Sequence, residues 1–418
     1  MTGEPGRLGA LHIAICGSGP AGLAAALLLH RAGHRIDIYE RFDAPRPVGS
    51  GLILQPTGLG VLAELGLAEA IFARGAVINR LFGRAAPSGR IVLDVRYSAR
   101  GTGWSGLAVH RSALFDVLYQ AAMDAGLSVH SSTPVSGSDM LNGKRVLTDS
   151  DGRHLGAFDL VVDAMGSRSP LRPPYTRSQH LSYGAFWANI PISGDLGFAP
   201  DALEQRYFRA SRMAGVLPVG QRQAGGPQEA AFFWSIRQQD VEHWRSRGLA
   251  AWKDEVCSLW PQCAPLLESI TSPDDLTLAH YEHFTLARPY GQALVHIGDC
   301  AHSTSPQLGQ GANMALLDAL ALARALAHSQ NVVSALSDYA RMRRWHVLLF
   351  QAGSAIFTPF YQSDSRVLPF LRDWLAAPVS RMPVADAMLA KLVSGLTVAP
   401  LAGRSFQPFR QGPLALNR

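Results

Sequence analysis

One hexapeptide limits what this chain can fold into more than any other stretch. Gly17-Ser18-Gly19-Pro20-Ala21-Gly22 stands between a short apolar run, His12 to Cys16, and an Ala/Leu-rich segment, Ala21 to Ala32. Gly33 closes that segment, and Arg35 to Glu40 alternates as a second strand. Strand, glycine turn, helix and strand make a βαβ unit, which predicts a parallel sheet. In such a turn Gly17 permits the sharp bend, Gly19 lets a pyrophosphate approach the backbone, and Gly22 lets helix and strand pack closely. The phosphates would meet the positive end, with its free N–H groups, of the helix that Pro20 and Ala21 begin. Glu40 closes the second strand, where a carboxylate can accept from ribose hydroxyls. The alternative is a glycine-rich helix start followed by a surface glutamate. The full context favours a dinucleotide without saying which one.

The same region contains a possible false signal. Leu11 to His30 carries no Asp, Glu, Lys or Arg and approaches the length of a membrane span. The glycines and Pro20 in its middle would break a spanning helix, and it has neither a basic leader nor a cleavage site. A soluble protein without integral membrane association is expected.

The 418 residues suggest two or three domains and are long enough for a large core without disulfides. The reading is α/β: a doubly wound, Rossmann-like nucleotide domain over 1–174 and 284–330, interrupted by a mostly antiparallel sheet domain over 175–283. A helical region and tail follow over 331–418. The sheet domain is expected to contain strands Tyr183 to Ile192, Gln205 to Val216 and Ala230 to Arg237, and a helix Asp240 to Leu259. Helices are expected at Leu59 to Leu65, Arg111 to Ala125 and Asn313 to Ala327. The last stretch, Val398 to Arg418, is proline-punctuated and expected to be extended or loosely held.

Charge and cysteines exclude some classes. The net charge is +6, but the arginines are scattered, which argues against nucleic acid. Four cysteines, Cys16, Cys257, Cys263 and Cys300, show no metal-ligand spacing and no secreted framework, so no metal and a reducing cytoplasm are expected.

A second motif lies far along the chain. Gly298-Asp299-Cys300-Ala301-His302 follows the strand Ala293 to Ile297, and Pro306, Gly309, Gln310, Gly311, Ala312 and Asn313 then lead into a helix carrying Asp318. Asp299 at a strand end could bind a ribityl or ribose hydroxyl. The N–H groups near Gly311 and Asn313 could face a polarised carbonyl or an anion. A simple nicotinamide dehydrogenase needs no such second loop.

Together, Gly17–Gly22 with Glu40 and Arg41, Arg111 opening a helix, and the Gly298–Asn313 run resemble the class A flavoprotein monooxygenases of the p-hydroxybenzoate hydroxylase fold. The resemblance spans about Leu11 to Asp373. It implies FAD, with Glu40 on the adenosine ribose, Arg111 by the pyrophosphate, Asp299 on the ribityl chain and Gly311 to Asn313 facing the isoalloxazine. It also implies that Gly49 and Gly51 pass near the flavin ring. The implied activity inserts one oxygen atom from O₂, by way of a flavin C4a-hydroperoxide, into a hydrophobic small molecule of aromatic or polyketide type. NAD(P)H is the implied reductant, directly or through a separate reductase. At one place the sequence departs from the family: Asp163-Ala164-Met165-Gly166 stands where Gly-Ala-Asp-Gly is usual, so Met165 replaces the acidic residue.

No catalytic acid or base can be named. His302 is expected to orient its turn, His110 to start a helix, and Cys300 to be a small buried side chain. Tyr207, Phe232 and Trp234 are candidates for a substrate wall on the inserted strands. The aromatics between Phe357 and Trp374 are expected to fill a helical core, with nearby Lys and Arg on a solvated face. Competing functions are a flavin dehydrogenase or reductase, a halogenase (whose Trp-x-Trp-x-Ile motif is missing), and a non-catalytic flavin-binding accessory protein.

Overall fold

The computed structural model describes residues 8–43, 50–174, 176, 178–192, 194, 197–376, 378 and 382–410. The first βαβ unit forms as expected. His12–Cys16 pairs in parallel with Arg35–Tyr39 on one side and Leu160–Asp163 on the other. Leu294–His296 and Ser128–His130 extend this sheet, and Tyr290–Gly291 adds an antiparallel edge, giving six strands. The strands are apolar on both faces because helices cover one face and the three-stranded sheet Val135–Leu141, Lys144–Asp149 and His154–Phe158 covers the other. The first helix, Pro20–Arg31, begins with proline at its first turn and buries every residue from Ala21 to Leu29. Its Ala/Leu composition favours the helix, and His30 and Arg31 suit its negative end. The helix Gly311–His328 packs on it in the same core, and the 30-residue helix Val332–Tyr361 lies outside that.

A second sheet of seven strands stands opposite. Its order is Thr277–Ala279, Tyr183–Pro191, Gln228–Arg237, Arg212–Gln221, Ala202–Phe208, Arg80–Ala85 and Ile91–Arg96. All pairings are antiparallel except Ala202–Phe208 with Arg80–Ala85. Two of these strands precede residue 175, so the sheet domain is not confined to the expected 175–283 segment. The expected strand Gln205 to Val216 is a hairpin, Ala202–Phe208 and Arg212–Gln221. Its turn was hidden because Arg209, not glycine or asparagine, takes the positive φ of 55°. A small sheet of Gly51–Leu54, Gly106–His110 and Ala76–Ile78 joins the two halves.

The tail, expected to be extended or loosely held, has no regular element over 405–410 but is firmly packed there. Leu401 is buried, Phe406 and Phe409 pack on the nucleotide core, and the Phe409 N–H donates to the Pro56 carbonyl at 2.9 Å. Three apolar side chains in a stretch without periodicity are enough to hold it. Residues 411–418 lie outside the described residues.

Candidate active site

Two helix N-termini, almost three hundred residues apart in sequence, open into one cavity of about 1610 Å³. At the first, Gly17 takes φ +100°, and a β-carbon there would lie 2.7 Å from the Ala164 carbonyl oxygen. A β-carbon on Gly22 would collide with the Gly17 carbonyl. In front of Gly19 there is open space, so the backbone is bare where a phosphate would approach. Gly17, Gly19, Pro20 and Ala21 line the cavity, while Gly22 is buried behind them. Glu40 is buried at the cavity edge and accepts from the Ser18 N–H at 2.9 Å, the Ser18 hydroxyl at 2.7 Å and the Phe42 N–H at 3.2 Å. These bonds lock the glycine turn onto the second strand and keep a carboxylate facing the cavity. Arg41 and Arg111 line the same end, both exposed, so their positive charges are available there.

At the second N-terminus Pro306, Gly309, Gly311 and Ala312 line the cavity with the exposed Asp299. Asn313 does not reach the cavity. It is fully buried, accepting from the Gln55 N–H at 2.7 Å and donating to the carbonyls of Ile53 at 3.1 Å and Gly309 at 3.0 Å. It therefore fixes the 306–309 turn to the opposite wall, which Gly51, Leu52, Ile53 and Gln55 supply. Gly51 is pressed on the seven-stranded sheet, where a β-carbon would lie 2.6 Å from Val219. Gly49 lies outside the described residues.

Below this loop sits a buried charge network that sequence reading did not assemble. Asp318 accepts from the Gly298 N–H at 2.8 Å, His302 Nε2 at 2.6 Å and Arg343 Nε at 2.7 Å. Burial opposes its ionisation, but His302 and Arg343 outweigh burial and hold its carboxyl well below the usual carboxylate range. His302 thus orients the turn. A parallel arrangement lies at the departure point: Asp163, fully buried, accepts from Ser169 Oγ at 2.6 Å and the Met165 N–H at 3.1 Å, and contacts His296 Nδ1 at 2.8 Å. The carboxylate is missing from position 165, and Asp163 organises that loop from inside. Met165 itself lines the cavity. Burial pushes the Cys300 thiol well up, so it stays protonated and packs as a small side chain. His110 caps the Arg111–Asp124 helix by accepting from the Ser112 N–H, and burial lowers its pKa to about 4.

The far end of the cavity is apolar. Leu81, Leu93, Leu203, Met213, Leu217, Trp187, Tyr207 and Phe233 form it, all from one face of the seven-stranded sheet. Tyr207 therefore lies where sequence placed it. Phe232 and Trp234 do not: both are buried on the other face, among Trp244, Trp252 and Val256 of the Val241–Leu259 helix. The residue between them, Phe233, faces the cavity across from Trp187, with ring centroids 4.8 Å apart. Ala230 to Ile236 is apolar but for Ser235 and is buried on both faces, so alternation alone could not give the parity. The tryptophans of the amphipathic helix were the only sequence signal that the second face is covered too. Behind Tyr207 and Tyr361 stands Arg372, buried, bonded to Asp373 at 2.7 Å and to the Phe360 carbonyl at 2.9 Å. Its guanidinium lies 4.9 Å and 5.2 Å from the two ring centroids. Burial raises the pKa of both tyrosines, which stay neutral at physiological pH.

The geometry fits an extended dinucleotide: bare backbone and a carboxylate at one end, a second helix N-terminus at the other, and an apolar chamber beyond. Comparisons with known proteins agree. The sequence matches the FAD binding domain family over residues 10–348. It is 26% identical to the aurachin C monooxygenase/isomerase of Stigmatella aurantiaca, over 94% of this chain and 99% of that one. It is 27% identical to the 6-methylpretetramide 4-monooxygenase of Streptomyces rimosus, over 94% and 96%. Klebsiella pneumoniae HpxO, solved in complex with FAD and uric acid, superposes with a TM-score of 0.77 at 19% identity, over 92% of this chain and 97% of that one.

Proposed function

This chain belongs to the FAD binding domain family and is an FAD-dependent monooxygenase; from that premise we propose that it oxygenates an apolar, fused-ring aromatic or polyketide-type molecule. The observation that carries this reading is the continuity of the cavity, which joins the Gly17–Ala21 and Gly309–Ala312 helix ends to the chamber of Trp187, Tyr207 and Phe233. The named substrates of the two curated relatives above, an aurachin and a pretetramide, are of that kind.

In this reading Gly19, Ala21 and Arg111 hold the pyrophosphate, Glu40 the adenosine ribose and Asp299 the ribityl chain. The N–H groups of Gly311 and Ala312 and the positive end of their helix face the flavin ring. Bound FAD supplies the oxygen-activating redox chemistry. The protein binds and orients the substrate ring between the Phe233 wall and the 306–312 turn, and the apolar side chains keep water from the reacting face. A nicotinamide is the reductant; Met165 cannot hydrogen-bond it, so reduction is slow for this family.

The test is mass spectrometry of products formed by the FAD-loaded protein under ¹⁸O₂, with NADH or NADPH and a panel of hydroxylated fused-ring compounds. One ¹⁸O atom per product is expected. Oxidation of the same compounds under ¹⁸O₂ with no label incorporated, the oxygen being released as peroxide, would replace this reading by that of a flavin dehydrogenase.

A further inference from the structure

Between Phe357 and Trp374 the sequence suggests a filled helical core; in the structure Phe357 and Tyr361 line the cavity, while Phe370 and Trp374 are exposed. The exposed large hydrophobic side chains are concentrated between residues 345 and 388: Trp345, Leu348, Ile356, Val367, Phe370, Trp374, Leu375, Met382, Val384 and Met388, each more than half exposed. Outside that stretch only Leu141 and Val333 are comparable among the described residues. On the long helix, Trp345, Leu348 and Ile356 fall on one side, a stripe of about 16 Å at the helical rise. Phe370 and Trp374 stack with centroids 5.9 Å apart, and Arg90 lies 3.7 Å over the Trp374 ring. A face this apolar marks an interaction surface.

Two observations identify what it contacts. The first is charge. Residues 341–391 contain seven Lys/Arg and three Asp, with no Glu; of these, Arg343 is buried on Asp318, Arg372 is buried on Asp373, and Arg341 pairs with Asp338. Arg344, Arg366 and Lys391 are exposed, against a half-buried Asp386 and an Asp364 paired with Arg237, which leaves the face with a net positive charge. Such a face repels a second copy of itself and attracts an anionic surface. Tryptophan beside Lys and Arg on an apolar face suits the boundary between headgroups and acyl chains. The second is continuity with the site: Phe357, Tyr361, Ala385 and Met388 line the cavity, and Met388 is also 63% exposed. The cavity therefore reaches the surface within the apolar face. No helix among the described residues is long and apolar enough to cross a membrane, so the contact is with a surface.

We propose that this C-terminal helical face binds the surface of an anionic phospholipid bilayer, with the cavity mouth opening against it. A lipophilic substrate would then enter from the bilayer without crossing water. The proposal does not depend on which reaction the flavin catalyses.

Vesicle flotation of the full chain tests it, with neutral phosphatidylcholine vesicles against vesicles containing 30–40% phosphatidylglycerol (roughly the range where surface charge dominates). The wild type floats with the anionic vesicles at least tenfold more than with the neutral ones, and the difference shrinks in high salt. Phe370→Glu with Trp374→Glu abolishes flotation, while Leu141→Glu, on the tip of a distant hairpin, leaves it unchanged. FAD content and melting temperature equal to wild type show that the double variant is folded; if it does not fold, Ile356→Glu alone is expected to give a graded loss. The proposal is overturned if the wild type does not float, floats equally with both vesicles, or keeps floating in the folded variants. It is equally overturned if the wild type is a dimer that these substitutions dissociate, since the occupant would then be a second copy.

Discussion

The two ends of the cavity are built from different materials. The nucleotide end uses backbone: a bare glycine turn, two helix N-termini and a few carboxylates, fixed by hydrogen bonds such as Ser18 to Glu40. The substrate end uses side chains from one face of a sheet whose other face is equally apolar and buried under the Val241–Leu259 helix. Backbone sites tolerate almost no substitution at a few positions. Side-chain walls tolerate many, and their meaning depends on parity: Phe233 touches the cavity and Trp234, next to it, does not.

Substitutions can break this comparison in a graded way. The largest effect is expected from Gly22→Val, whose β-carbon has no room against the Gly17 carbonyl. A loss of at least ~3 kcal/mol, with little folded protein, is expected in chemical denaturation. Arg343→Met leaves Asp318 with less compensation for its burial and should cost about 3 kcal/mol or more in the same assay. The cost extends to the Gly298–Gly311 loop, because Asp318 also holds the Gly298 N–H.

Next comes the parity test. Trp234→Ala should destabilise by about 3 kcal/mol through a cavity against Trp252 and Trp244, with FAD binding retained. Phe233→Ala should cost less stability but alter binding and coupling of an aromatic substrate, read as peroxide released per product. If Trp234→Ala uncoupled the reaction and Phe233→Ala did not, the assignment of the two sheet faces would be wrong.

A smaller effect is expected with pH. His346 is fully buried and its pKa is lowered to about 3, first by burial and then by the nearby Arg343. In the unfolded chain it titrates near 6.5, so between those values the unfolded state binds more protons. Stability is therefore fully present above about pH 6.5 and falls by up to about 1.4 kcal/mol per pH unit as pH drops toward 3. His346→Gln should flatten the melting temperature between pH 6.5 and 5; an unchanged slope would remove His346 from the account.

How much of this was legible in the sequence follows the same division. The glycine turn, Glu40 and the Gly298–Asn313 run were readable because backbone demands leave few residue choices, and the first helix and its flanking strands stand where periodicity put them. Asn313 was found but its role differed: its amide ties two walls together, and only the helix start behind Gly311 and Ala312 faces the cavity. The Asp318–His302–Arg343 network spans three elements with no local spacing to connect them. Strands Arg80–Ala85 and Ile91–Arg96 were missed as parts of the second sheet because they join it from the other side of the chain, through a parallel pairing no short-range pattern encodes. The parity of Phe232, Phe233 and Trp234 was unreadable because both faces of their strand are buried.

The most direct measurement is FAD affinity by flavin fluorescence for the wild type, Gly19→Val and Phe233→Ala. The account predicts one tightly bound FAD in the wild type. Gly19→Val should show none, because its side chain fills the open space before the first helix, and Phe233→Ala should bind as the wild type does. Wild-type affinity in Gly19→Val, or loss of FAD in Phe233→Ala, would contradict the separation of a backbone-built cofactor end from a side-chain-built substrate end.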